Sequence, residues 1–367
     1  MNFDLNQEQM MLRDLVERFV AAHYDPIRRL GYIAEPRGFA AENWQILAET
    51  GLLALPFSEA NGGAGGGAVE LITVAEALGK GVAVEPFLPV VLIAASLIER
   101  GGSEAMKAEL LPRIIAGECL PALAHLERAG RFLPARPQTR AAGPRGAVRL
   151  NGQKICVIGG GFADVLLVSA CDEAGVSGLY RVEVPAAGVT RTDYRLVDGA
   201  VASDITFQDT PAQYMPGAAA CFEEVLDQAR LAICAELVGL MTHMFEATLD
   251  YVKTRQQFGQ PVGRFQAVQH RLADGYVLLE LSRSQLYRAA AQTPGTAEAH
   301  RAIIGAKALI SGFARNIAEE AVQLHGGIGT TEELMVGQAF KRTLLLAPLL
   351  GDSEWDLRHY VQLTKAA

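Results

Sequence analysis

The sequence lacks any CxxC pair: Cys119, Cys156, Cys171, Cys221 and Cys234 are odd in number and widely spaced. That pattern excludes a disulfide scaffold and a thiolate metal site, and it fits reduced thiols inside a cell. Dense Lys/Arg blocks are missing too, and 33 basic against 41 acidic residues leave a formal charge of −8. A nucleic-acid surface, which gathers cations against phosphates, is not expected. The opening residues Met1-Asn2-Phe3-Asp4-Leu5 have neither the basic nor the apolar region of a secretion signal. No apolar run reaches bilayer length without a charge or a turn residue, and no internal repeat is visible. The expectation is a cytoplasmic protein without a membrane span, a metal centre or a nucleic-acid partner.

What is present is a globular composition, 50% hydrophobic and 20% charged over 367 residues, which is long for a single core. Residues 1–120 read as a helical domain. Asn6 and Gln9 have capping-box spacing, and Leu12, Leu15, Val16, Phe19 and Val20 recur on one helix face. Further helices are predicted over 41–50, stopped at Gly51, from about Val69, and over 105–116, with a glycine loop at 61–67. Residues 121–218 change character, with short β-rich runs at 147–150, 154–158, 165–169, 179–184 and 203–207 between turn signals. No long helix separates them, so an antiparallel sheet or small barrel is expected rather than a doubly wound one. Residues 219–367 read as four long helices, about 220–255, 265–291, 296–324 and 333–346, hence a bundle. Their broad apolar stripes imply oligomer contacts. The fold class is therefore α+β.

Two segments carry chemistry. Arg255-Gln256-Gln257-Phe258-Gly259-Gln260-Pro261-Val262-Gly263-Arg264-Phe265-Gln266 is a helix stop and restart that gathers Arg and Gln. Gln323-Leu324-His325-Gly326-Gly327-Ile328-Gly329 follows a long helix, and its glycines let backbone amides approach an anion. Either alone reads as a turn. Together, on neighbouring helices, they make a cradle for a pyrophosphate and an adenine.

This pairing resembles the acyl-CoA dehydrogenase family. The likeness extends to Gly51-Leu-Leu-Ala-Leu-Pro-Phe with its glycine loop, and to Asn151-Gly152-Gln153-Lys154 before the flavin. The pattern is most similar to the small subunits of two-subunit bacterial members such as pimeloyl-CoA dehydrogenase. The resemblance implies a helical domain, a central β domain and a C-terminal bundle, with FAD at a subunit boundary and an acyl-CoA substrate. It implies FAD contacts at Arg255, Phe258, Phe265, Gln266, Gln323, Gly326 and Gly327, serving a flavin seated mainly in the neighbouring subunit. It also places Asp227 and Arg230 near the acyl-CoA, and an electron-accepting flavoprotein as redox partner.

The family's catalytic groups are missing. Its usual Glu position, the base that removes the α-proton, is Leu350 here, and the alternative address on an earlier helix is Ala229. Asp352 and Glu354 are the acids nearby, and Asp352 has the residue type of a helix cap. Leu126-Glu127 replaces a Thr-Glu pair, Cys156-Val157-Ile158 replaces Trp-Ile-Thr, and a serine is replaced near Phe132. His325, in the glycine turn, reads as a residue near the FAD or a helix cap, and His125 as a structural histidine. The nucleotide turns are kept while the ring pocket and base are lost. This split predicts the small subunit of an α2β2 tetramer with a homologous larger chain. The alternatives are a homo-oligomeric dehydrogenase using Asp352, a non-dehydrogenase flavoprotein and a flavin-free scaffold.

Overall fold

The structure is a computed structural model, and it describes residues 5–130, 132, 136–144 and 146–366. The chain divides into two compact units, Met1–Gly31 with Ala68–Ala83 and Arg230–Ala367, and Tyr32–Gly67 with Val84–Ala229.

The first unit is helical. α1 (Gln7–His23) opens with the expected capping box: Asn6 Oδ1 accepts from the Gln9 amide, and Gln9 Oε1 accepts from the Asn6 amide. α1 packs on α4 (Ala68–Lys80). α7 (Ala218–Thr254) enters this unit at Arg230, and a two-residue hairpin follows, β8 (Gln256–Gln257) and β9 (Gln260–Pro261). α8 (Gln266–Ala290) and α9 (Ala297–His325) form a helical hairpin, and α10 (Met335–Leu346) and α11 (Ser353–Ala366) both pack on α9. The four expected helices are present as α7 to α10, and α11 follows them as a fifth after Pro216 among the described residues. Its 14 residues carry Glu354, Asp356, Arg358 and Lys365, which leaves an apolar stripe too narrow to read as a bundle helix.

The second unit contains α2 (Pro26–Ala34) from Tyr32 onward, α3 (Ala41–Glu49), α5 (Ser96–Gly101), α6 (Glu104–Ile115) and a seven-stranded sheet. α5 continues a π-helical run, Phe87–Ala95, in which eight of nine residues are buried. Unbroken apolarity there hides the 3.6-residue period from sequence reading. The strands are β1 (Pro121–Ala124), β2 (Arg140–Ala142), β3 (Val148–Ile158), β4 (Val165–Cys171), β5 (Ser177–Glu183), β6 (Val189–Arg195) and β7 (Val201–Met215). Successive pairings β4–β2–β3–β7–β5–β4 close a ring, so the unit is built on a small barrel with a core of Leu150, Val157, Leu166, Val168, Ile205 and Phe207.

Two pairings depart from the antiparallel expectation: β1 lies parallel to β4, Pro121 opposite Val165, and Arg140 of β2 makes a parallel bridge to Cys171. A long connection between paired strands permits this, whereas a tight hairpin would not. The runs at 147–150 and 154–158 are one strand, bulged between Leu150 and Gly152 and again between Lys154 and Val157. β6 escaped sequence reading because its side chains are almost all exposed, leaving no apolar face to alternate. α7 is long and apolar enough to cross a bilayer, but 78% of its most apolar window is buried in the protein, as in a core helix.

Candidate functional site

α7 ends at Thr254, and Arg255 follows with its amide donating to Tyr251 O (2.8 Å) and its carbonyl accepting from Val262 N (2.8 Å). Between β8 and β9 the central residues Phe258 and Gly259 have φ of 51° and 80°. Two positive φ values are what a two-residue hairpin with native strand twist requires. Glycine meets this at no steric cost, but a phenylalanine there is strained. The strained ring is also 91% exposed, held at its edge by Phe265 at 6.2 Å and 83°. Arg255 and Gln266 are exposed beside it.

The second turn lies close by. The His325 ring stacks on Tyr251 at 4.5 Å, with its Nδ1 2.8 Å from Ala321 O, so the end of α9 is fixed beside the end of α7. Arg271 near the start of α8 pairs with Glu320 near the end of α9. Three helix ends therefore converge on the two predicted turns. His325 is buried, with 6% of its surface exposed.

Gly326 has φ 68° and ψ −146°, a region closed to other residues. At Gly327 the backbone makes no such demand, and an added Cβ would meet nothing of this chain within 4 Å. The open space, the exposed Gln323 and Arg255 side chains and the unbacked Phe258 ring suit a ligand lying outside this chain's own core. Guanidinium, backbone amides and an aromatic wall fit the diphosphate and adenine of a dinucleotide.

Of the two residues predicted near an acyl-CoA, Asp227 is half-buried on α7. Arg230 is 1% exposed, and its charge acts on Asp356 and Lys307 inside the helical unit.

At the base position Leu350 is 4% exposed with φ 60°. Its turn is locked from below by Lys307, whose Nζ donates to Ala347 O (2.9 Å), Gly351 O (2.8 Å) and Ser311 Oγ (3.2 Å) and pairs with Asp356 at 3.6 Å. Burial pushes the Asp356 carboxyl up to about 6 against the pull of Lys307 and Arg230. Lys307 and Asp356 were not singled out in the sequence. A lysine between Ile304 and Ala308 on an apolar stripe was the available signal. Asp352 Oδ1 accepts from Trp355 N at 2.8 Å, the geometry of a cap on α11.

In the barrel, Glu127 is buried and bonded on all sides: Lys154 Nζ and Thr139 Oγ1 donate to Oε1 at 2.7 Å, and the Gln138 amide donates to Oε2. Burial opposes its ionisation, but the Lys154, Gln138 and Thr139 bonds prevail and hold the carboxyl below its ordinary value. Lys154, 0% exposed, also donates to Ser169 Oγ, and burial lowers its ammonium to about 8. Cys156 sits at the second β3 bulge with φ 49°, its amide donating to Asp204, and burial raises its thiol. Near Phe132, residues 131 and 133–135 lie outside the described residues.

A chain with a helical unit, a β barrel and paired dinucleotide-type turns has the build of a flavin-dependent dehydrogenase, and its sequence agrees. Residues 6–118 match the acyl-CoA dehydrogenase N-terminal domain and residues 218–362 the acyl-CoA dehydrogenase C-terminal domain. The chain belongs to the acyl-CoA dehydrogenase family. Among solved structures it is similar to the steroid ACAD Tcur3481-Tcur3483, studied as a variant, at 30% identity and TM-score 0.90, covering 98% of each chain. The ChsE4-ChsE5 complex from Mycobacterium tuberculosis is similar at 25% identity and TM-score 0.89, covering 100% of each. PigA in its FAD complex is similar at 26% identity and TM-score 0.90, covering 100% of this chain and 99% of that one.

Proposed function

We propose that this chain is the small subunit of a heteromeric acyl-CoA dehydrogenase, an α2β2 assembly whose homologous larger chain supplies the catalytic Glu. The observation that carries the reading is the contrast between two places. The turns at Arg255–Gln266 and Gln323–Gly327 are complete and open outward, whereas the base position is a buried leucine over a locked lysine. Arg255, Gln323 and the amides of Gly326 and Gly327 would hold the FAD diphosphate, with Phe258 and Phe265 beside the adenine. Bound FAD supplies the hydride acceptor for α,β-dehydrogenation of an acyl thioester. The partner's carboxylate would take the α-proton, and an electron-accepting flavoprotein would reoxidise the complex. Similarity to steroid ACAD and ChsE4-ChsE5 chains, both solved under paired names, supports a two-chain assembly. The capping bond of Asp352 to Trp355 counts against Asp352 as a replacement base. The free-thiol pattern supports a cytoplasmic site of action.

Purification of the chain alone and with its larger homologue tests this. FAD and dehydrogenase activity are expected only in the complex, and Arg255→Ala in that complex should lower FAD occupancy. Stoichiometric FAD with full activity in the isolated chain would overturn the proposal.

A further inference from the structure

The helical unit holds a cavity of about 400 Å3 that none of the candidate-site residues lines. Its walls are α1, α4, the middle of α7 and the C-terminal half of α8. α1 and α4 run parallel along it. Gln9 Nε2 donates to Glu70 Oε1 at one end, and Val20 closes on Gly81 at the other.

The cavity has a polar half and an apolar half. In the polar half Lys80 and Arg283 are engaged, whereas Arg13 comes only within 3.9 Å of its neighbour Asp14. Lys80 pairs with Glu246 at 3.1 Å, and Arg283 bonds Glu280 (2.6 Å) and Thr242 Oγ1 (2.9 Å). Arg283 comes no closer than 3.9 Å to Glu76, which is beyond hydrogen-bond range. Among the described residues, Glu76 thus faces the cavity without a hydrogen-bond donor. The charged and titratable groups around it are Arg13 and Glu17 on α1, Lys80 on α4, Glu246 on α7, and Arg283 and Tyr287 on α8. Burial pushes the Glu76 carboxyl up against the pull of Arg283, Lys80 and Arg13, and its side chain keeps 24% of its surface open. At the other end Leu5, Val69, Ile72 and Ala290 make an apolar wall.

We infer that this cavity binds a small amphipathic amine, its ammonium on the Glu76 carboxylate and its hydrocarbon against Val69, Ile72 and Ala290. The volume falls within the usual range for small-molecule sites, on the order of 300–1,000 Å3. An ammonium would give Glu76 the charge-assisted donor it lacks, whereas an anion would meet Glu17, Glu76 and Glu246 with only Arg13 to hold it, since Lys80 and Arg283 are already committed. This inference is independent of the dehydrogenase reading, since no residue is shared.

The test is calorimetric titration of the full chain near neutral pH with cyclohexylamine hydrochloride as the probe. Saturable binding is expected, weaker by about tenfold for Glu76→Gln and also by about tenfold for the neutral isostere cyclohexanol on wild type. Circular dichroism establishes that the variant is folded; if it is not, the amine–alcohol comparison on wild type decides. Absence of saturable binding, equal affinities for amine and alcohol, or an affinity unchanged by Glu76→Gln in the folded variant would overturn the inference.

Discussion

Lys154 and Glu127 lie 2.7 Å apart in the barrel, 0% and 4% exposed, with Thr139 and Ser169 completing their bonds. A buried pair of this kind persists because each member's desolvation is met by several bonds. In the sequence, Lys154 read as part of a family motif before the flavin, and its partner 27 positions upstream could not be read. Spacing along a chain does not reveal which strands become neighbours. His243, half-buried on α7, gives a pH prediction. Burial holds its imidazole below the ordinary 6.5. As pH falls, the unfolded chain takes up this proton first, so His243's contribution to stability is present above about 6.5 and is lost below it. Urea denaturation at descending pH should show this loss, and His243→Gln should flatten the slope beneath pH 6.5. An unchanged slope in the variant would remove His243 as the cause.

At the scale of elements, the hairpin between α7 and α8 is the most informative piece of the molecule. Its strands are two residues each, too short to be stable on their own, and its tip holds a strained, 91% exposed phenylalanine. Strain kept at an exposed position points to a role outside the chain's own folding. Phe258→Asn should therefore leave the folding stability of the isolated chain equal or slightly higher, by about 1 kcal/mol at most, with a melting temperature that does not fall. The same variant in the two-chain complex should release FAD more readily. A lower melting temperature with unchanged FAD retention would mean that Phe258 serves folding instead. The Arg/Gln content of this segment was legible from sequence because the turn is local. The extra helix α11 and the parallel β1–β4 pair were not, since one has a narrow apolar stripe and the other joins distant segments.

For the whole molecule, the exposed face of α8 bears on assembly. Tyr276 and Val277 are each 53% exposed and Leu281 is 45% exposed, within one helical turn or so of each other. Apolar side chains clustered in this way are expected to meet another subunit. Leu281→Glu should shift the complex to smaller species in size-exclusion chromatography with attached light scattering, with the circular dichroism of the chain unchanged. An unaltered mass would place the interface on another face.

The sequence by itself determined the succession of helical, β-rich and helical regions, the two nucleotide-type turns and the empty base position, because helix periodicity, turn chemistry and motif identity are encoded over short stretches. Only the tertiary structure decided that Lys307 and Asp356 lie beneath the Leu350 turn, that Tyr251 pins His325, and that Glu76 faces a cavity. Burial and pairing are made by segments distant in the chain, and desolvation acts on a charge only once those segments have closed around it.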